Sequence, residues 1–296
     1  MKKLILCAAM PIMALSLLTF TSCEKLVDDA SETADSGEDF AQDQTAISAL
    51  VDMVQDAGET QGFMMKNGNS IIPASVPIEY TDTLLTDGDG IEISIDFGST
   101  GVLCNDGWTR MGKLTLLTNN QRFSETGAWI KVIIPSGQLT MTRDDETFMF
   151  QMMSSEHITI TRTAANTFKV DYIFDLEAGY PDGAGGTDRE WTSPSGSFTA
   201  TQTAGVDVPG ASDDEFTIQG TCNGTNRGGT NYTVTITEDL VRKVDATCSK
   251  TFTKGKLELK NDGSKTSLKL EFGDGTCDNL IEVTLPGGIK KTIEVK

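Results

Sequence analysis

The chain holds 43 acidic side chains and one histidine, His157, so acid–base chemistry here would have to run on carboxylates. A glycosidase needs only two carboxyls flanking the bond it cleaves, but no spacing among so many acids singles out a pair. Mechanisms that require two imidazoles are excluded. The chain has neither the G-x-S-x-G elbow of a serine hydrolase nor a phosphate-cradling G-K-[ST] loop. Gly183-Ala184-Gly185-Gly186 lacks the strand-to-helix context of a dinucleotide site and reads as a loop. Asp87-Gly88-Asp89-Gly90 and Asp274-Gly275 with Asp278 offer hard oxygens to a cation. Counting from Asp87, however, the twelfth position is Gly98 and not the glutamate a calcium loop requires. Asp-Gly is also the ordinary pair of tight turns. No catalytic residue, metal ligand or cofactor is assigned.

Two tryptophans suggest recognition instead. Trp108 and Trp191 lie in polar, glycine-bearing stretches with Arg110 and Arg189 close by. An exposed ring beside polar groups can stack on a sugar face or anchor a protein contact. These four residues are the candidate ligand-binding set, with a glycan or an envelope protein as the partner. The competing expectation is that large rings fold over a sheet end. Trp129, beside an apolar strand, is expected in the core, and His157 reads as an ordinary titratable side chain on a polar-alternating strand.

The elements that would carry these residues are strands. Ile91, Ile93, Ile95 and Phe97 alternate with Glu92, Ser94 and Asp96, and the same period of two recurs through Ile130–Ile134, Phe148–Met152, Val170–Phe174, Tyr232–Ile236, Leu268–Phe272 and Ile281–Leu285. Alternation marks antiparallel strands with one dry and one wet face. Ser136-Gly137, Asn261-Asp262-Gly263 and Gly287-Gly288 supply turns between them. The expected fold is all-β, an antiparallel meander forming a β-sandwich or a curled sheet over 76–296. Only 44–57, with Ile47, Leu50, Val51 and Val54 at helical spacing, reads as a short amphipathic N-terminal helix, followed by a connector to 75. Residues 177–197 read as a long glycine-rich loop. A split near 179–214 would divide two related halves, because Ile93–Gly98 with Cys104 is echoed by Leu268–Gly273 with Cys277. The net charge of −19 excludes nucleic acid as a partner, since affinity for it comes from cationic neutralisation of phosphates.

The N-terminus sets the expected location. Lys2 and Lys3 precede an apolar run from Leu4 to Phe20, the pattern of a secretory signal over 1–22. Phe20-Thr21-Ser22-Cys23 resembles a bacterial lipobox, which implies lipidation of Cys23 and a membrane partner through the acyl chains. Eleven acids and one base between Glu24 and Glu59 give a like-charged stretch, so 23–43 is expected to be an extended acidic tether. In lipid-anchored proteins of the Bacteroidota, such a run resembles the signal for the outer face.

Three blocks carry a wider resemblance. Phe272-Gly273-Asp274-Gly275-Thr276-Cys277-Asp278-Asn279 and Gly224-Thr225-Asn226-Arg227-Gly228-Gly229, with Ile95-Asp96-Phe97-Gly98 and Cys104, resemble a family of uncharacterised Bacteroidota outer-membrane lipoproteins. The likeness covers roughly 77–296. It implies fold and an outer-membrane, cell-surface location, and no activity. Without Cys7 and Cys23, four cysteines remain, which allow three pairings in an exported protein. The short C-x-x-C spacings of a zinc site are absent. The resemblance favours Cys248–Cys277 and Cys104–Cys222, worth about 3–4 and about 5 kcal/mol by chain entropy. The functional expectation is a non-enzymatic, lipid-anchored interaction module. The alternatives are a carbohydrate-active hydrolase with unidentified carboxylates and a structural subunit of a surface assembly.

Overall fold

The computed structural model describes residues 20–59, 70–83, 90–119, 123, 125–134, 139–144, 146–152, 156–181, 187–205, 214–244, 248, 252–278, 280–285 and 288–294. Helix α1 spans Phe20–Glu59. The strands that follow are β1 (Ile78–Asp82), β2 (Ile91–Asp96), β3 (Val102–Leu103), β4 (Thr109–Thr118), β5 (Trp129–Ile133) and β6 (Leu139–Arg143). Next come β7 (Glu146–Gln151), β8 (His157–Ala164), β9 (Thr167–Ile173), β10 (Asp175–Pro181), β11 (Thr187–Thr192) and β12 (Ser195–Ala204). The series ends with β13 (Glu215–Thr225), β14 (Asn231–Lys243), β15 (Lys254–Asn261), β16 (Leu268–Asp274), β17 (Leu280–Thr284) and β18 (Lys290–Glu294).

All pairings are antiparallel, and several strands are collinear halves of one longer rung. Ile133 of β5 lies opposite Thr115 and Leu139 of β6 lies opposite Gly112, so β5 and β6 continue one another along β4. The couples β7 with β8, β9 with β10 and β11 with β12 behave alike, and β3 prolongs β2. Taken so, the described residues form an up-and-down meander of thirteen rungs in chain order, from β1 to β18. Neighbouring rungs run in opposite directions, so the two ends of this odd-numbered series run in the same direction. Among the described residues β1 and β18 do not pair, and the sheet is open.

The sheet curls around α1. From Phe40 to Ala57 every helix side chain is buried except that of Gln42, which is half-buried. A helix lying on one layer would expose a side chain every third or fourth residue, so α1 is enclosed on all sides. A curl wider than about eight strands leaves an interior that inward side chains alone do not fill; here the helix fills it. Its contact with the wall is close at Gly37, where a Cβ would stand 3.1 Å from Leu268 Cδ2. The outer face is polar: Thr233, Thr235 and Thr237 of β14 and Lys254 and Lys256 of β15 alternate with buried Val234 and Leu257.

The antiparallel all-β architecture is the expected one, and three expectations are corrected. The helix reaches back to Phe20, through the segment read as an extended tether. Its alanines and lack of proline favour helix, and the acids whose side chains are described near its middle are matched by partners in the sheet. Residues 177–197, read as a loop, supply most of β10, all of β11 and the start of β12. Finally, 179–214 does not divide the sheet, because β12 pairs with both β9 and β13. Asp87, Gly88 and Asp89 lie outside the described residues.

Candidate functional site

Four aspartates of α1 are buried: Asp39, Asp43, Asp52 and Asp56. Each pair is one helical turn apart. The nine residues from Asp43 to Asp52 turn the helix through about two and a half revolutions, so the two pairs point to opposite sides. Both sides find polar partners on the enclosing sheet.

Asp39 and Asp43 meet the turn between β13 and β14 and the strands beside it. Arg227 donates from its backbone N–H (2.9 Å) and its Nε (2.6 Å) to Asp39. Asn226 Nδ2 donates to Ser36 Oγ at 2.8 Å. Among the described residues no cation is in contact with Asp43. Thr192 Oγ1 donates to its Oδ1 at 2.6 Å and the Tyr232 hydroxyl to its Oδ2 at 3.2 Å. Next to it, Gln44 Nε2 donates to the Tyr172 hydroxyl at 3.0 Å.

Two glycines allow the tyrosines to lie this way. Tyr172 faces Gly196 across the ladder, and Tyr232 faces Gly224. A Cβ on Gly196 would meet Tyr172 Oη at 2.7 Å, and one on Gly224 would meet the Tyr232 ring at 2.4 Å. Each ring lies over bare backbone, and its hydroxyl is carried to the helix.

The electrostatics follow from enclosure. Burial pushes the Asp43 carboxyl up to about 8, only partly countered by the Thr192 hydrogen bond and reinforced by the nearby Asp39. Burial likewise raises the Tyr172 and Tyr232 hydroxyls well above their usual value, and lifts the Cys222 thiol beside Tyr172 to about 11. A protonated Asp43 can thus sit at neutral pH among hydroxyls, as a hydrogen-bonded neutral group.

On the other side, Asp52 forms a bidentate ion pair with Arg242 of β14. Asp56 accepts from Ser70 Oγ (2.6 Å) and the Ile71 backbone N–H (2.7 Å), and burial raises its carboxyl. Arg110 of β4, fully buried, donates to the Ala49 carbonyl of the helix at 3.0 Å and pairs with Asp106 at 2.6 Å.

The candidate ligand-binding set is therefore dispersed. Trp108 is 1% exposed, tilted against Phe148 at 5.8 Å, and Arg110 faces the helix, so neither offers a platform to a ligand. Trp191 is 42% exposed on the outer face of β11. In register it is separated from β4 by Glu177 of β10, Met149 of β7 and Thr140 of β6. Arg189 stands opposite Gly179 on the backbone, and its side chain lies outside the described residues. Trp129 is half-buried at an outward position rather than in the core, because Ile130 and Val132 take the inward ones. His157 opens β8, half-buried, opposite Ile173. Cys23 falls in the first turn of α1. A shallow polar hollow of about 340 Å³ lies on the outer face, lined by Thr233, Thr235, Glu258, Lys260, Lys265 and Ser267. Among the described residues no cluster of acids, histidine and cysteines could hold a metal ion.

Cys248 and Cys277 form a disulfide with a Cα–Cα distance of 4.9 Å. The second expected bridge is not formed: Cys104 and Cys222 are both free and buried. Cys104 closes the turn before β4, whereas Cys222 sits on β13 behind Tyr172, with the rungs of β5, β8, β9 and β12 between.

The helix aspartates and the arginines that meet them were missed by sequence reasoning. The signal available was their i,i+4 spacing on a helix that also carries Ile47, Leu50, Val51 and Val54, together with Asn226-Arg227 in a turn of the GTNRGG block. No protein-family model matches the chain, and no curated protein and no solved structure matches it either.

Proposed function

We propose that the protein is a lipid-anchored envelope protein of the outer membrane whose β body is a non-enzymatic interaction module. The lipobox-like Phe20-Thr21-Ser22-Cys23 supplies the anchor in this reading. The observation that carries it is a single continuous helix leading from Cys23 into the middle of the β body. Cys23 lies ten residues, about 15 Å of helix, before the buried Thr33. The anchor is thus coupled to the core by a stiff element, which fits a body held in a set attitude above a bilayer. Because α1 fills the curl, partners are met from outside, at the polar outer face and the sheet edges. Cys23→Ala is expected to move the protein from the membrane to the soluble fraction, and retention in the membrane would overturn the anchor. Protease shaving of intact cells is expected to remove the β body; its survival beside a cleaved surface marker would assign it to the periplasm.

A further inference from the structure

We infer that the seam between β1 and β18 is an acceptor site for one extended polypeptide strand supplied by another protein. The inference names a partner class for the interaction module and rests on that reading only in treating the β body as a binding device.

Three observations converge on the seam. The first is directional. A sheet that closes with every pairing antiparallel needs an even number of rungs, and the described residues supply thirteen. Since β1 and β18 run the same way, joining them directly would create one parallel pair in a wholly antiparallel sheet, with the less favourable slanted bonds. One strand of opposite sense between them would pair antiparallel with both.

The second is burial. Inward side chains in the interior of the sheet are almost completely covered: Ile93 and Ile95 on β2, Val234 on β14 and Leu257 and Leu259 on β15 are all at 0%. At the seam this fails. Ile78 and Tyr80, opposite Ile95 and Ile93, are inward yet only partly buried. On the other lip Lys291, opposite the buried Val283, is inward and exposed. Among the described residues the interior is thus short of a layer of side chains along one strip.

The third is chemistry. Both lips are five residues long, so an occupant of about five to seven residues matches them. Ile78 and Tyr80 call for apolar groups facing inward. Lys291 calls for an acid at the inward position beside it; Lys290 already has Glu282 on the outer face. An inward lysine on an edge strand also discourages indiscriminate strand pairing, so it selects for an acidic occupant. The recognition is strand addition, with main-chain bonds giving affinity and alternate side chains giving choice.

The test uses the full chain in detergent micelles and the synthetic peptide Thr-Val-Thr-Glu-Thr-Val-Thr, with Thr-Val-Thr-Lys-Thr-Val-Thr as its counterpart. The acidic peptide should bind at least about threefold more tightly, the size of a cross-strand charge pair. It should slow amide exchange at Ile78–Asp82 and at Lys290–Glu294 together. Lys291→Glu, a surface change, should invert the preference between the two peptides. Protection of only one lip, or of neither, overturns the inference. Full protection of both lips before peptide is added means this chain closes its own seam, and also overturns it. Concentration-dependent dimerisation that protects both lips assigns the seam to a second copy and overturns a foreign strand. None of these outcomes depends on whether Cys23 carries lipid, so this failure and that of the anchor are separable.

Discussion

Asp43 and Asp52 occupy the same helix, are both buried, and are held in opposite ways. Asp52 meets a guanidinium in a two-point grip. Asp43 meets two hydroxyls, while Arg227, whose charge it feels weakly, is engaged by Asp39. One carboxylate is neutralised by a partner's charge, the other by a proton. The molecule thus uses two solutions to one problem, the cost of removing a charge from water. The choice is made by which part of the wall each helical turn faces, because Arg242 lies near the end of β14 and Tyr232 near its beginning.

The strongest way to break this contrast is to remove the cation. Arg242→Ala should destabilise the protein by about 3–5 kcal/mol, because Asp52 is left enclosed and unpaired. In thermal unfolding this corresponds to roughly a 10 °C fall, and Asp52→Asn in the same chain should restore part of it. A fall no larger than that of an exposed pair such as Lys256–Glu238 would remove the distinction.

The next test acts on the proton. With its pKa raised to about 8 by burial, Asp43 holds in the folded chain a proton that the unfolded chain releases near pH 4. Stability should therefore fall as pH rises from about 4 to 8 and level off beyond. Asp43→Asn, which mimics the protonated form, should match the native protein near pH 4 and exceed it increasingly toward pH 8, by up to about 5 kcal/mol. A constant difference across that range would show that Asp43 keeps its charge.

Two smaller effects sharpen the picture. Gly224→Ala should cost about 1–3 kcal/mol by forcing the Tyr232 ring off its bed, and Tyr232→Phe should relieve little of that loss, since the ring remains. On its own, Tyr232→Phe should cost about 1 kcal/mol and push the Asp43 carboxyl higher still, because the hydroxyl bond favours the ionised form. NMR titration of the Asp43 carboxyl carbon would read that shift, and movement toward lower pH would contradict it.

The strands were legible because their evidence is local. Ile91-Glu92-Ile93-Ser94-Ile95 states its own alternation, and the same is true of Tyr232 to Ile236. The helix seat was not, because each of its contacts joins distant parts of the chain: Asp39 to Arg227, Asp43 to Thr192, Asp52 to Arg242. A run of like charges from Glu24 onward reads as solvated when its partners lie almost two hundred residues away. The same distance hid the outcome for cysteine, since an even count says nothing of which thiols share a wall. Trp108 misled for a related reason. Its polar turn is real, but Gly107 and Arg110 serve to bring the ring inward against Phe148.

The position of α1 also dictates an order of events. It leaves the ribosome first, yet the partners of Asp39, Asp43 and Asp52, on β11, β14 and the turn before β14, arrive near the end. The helix must wait through most of synthesis with its wall incomplete, and contacts across such separations close slowly. Aspartates on both of its sides make that wait safe, keeping it wettable until the last strands wrap around it. The residues that are costly once enclosed are the ones that keep the unfinished chain soluble.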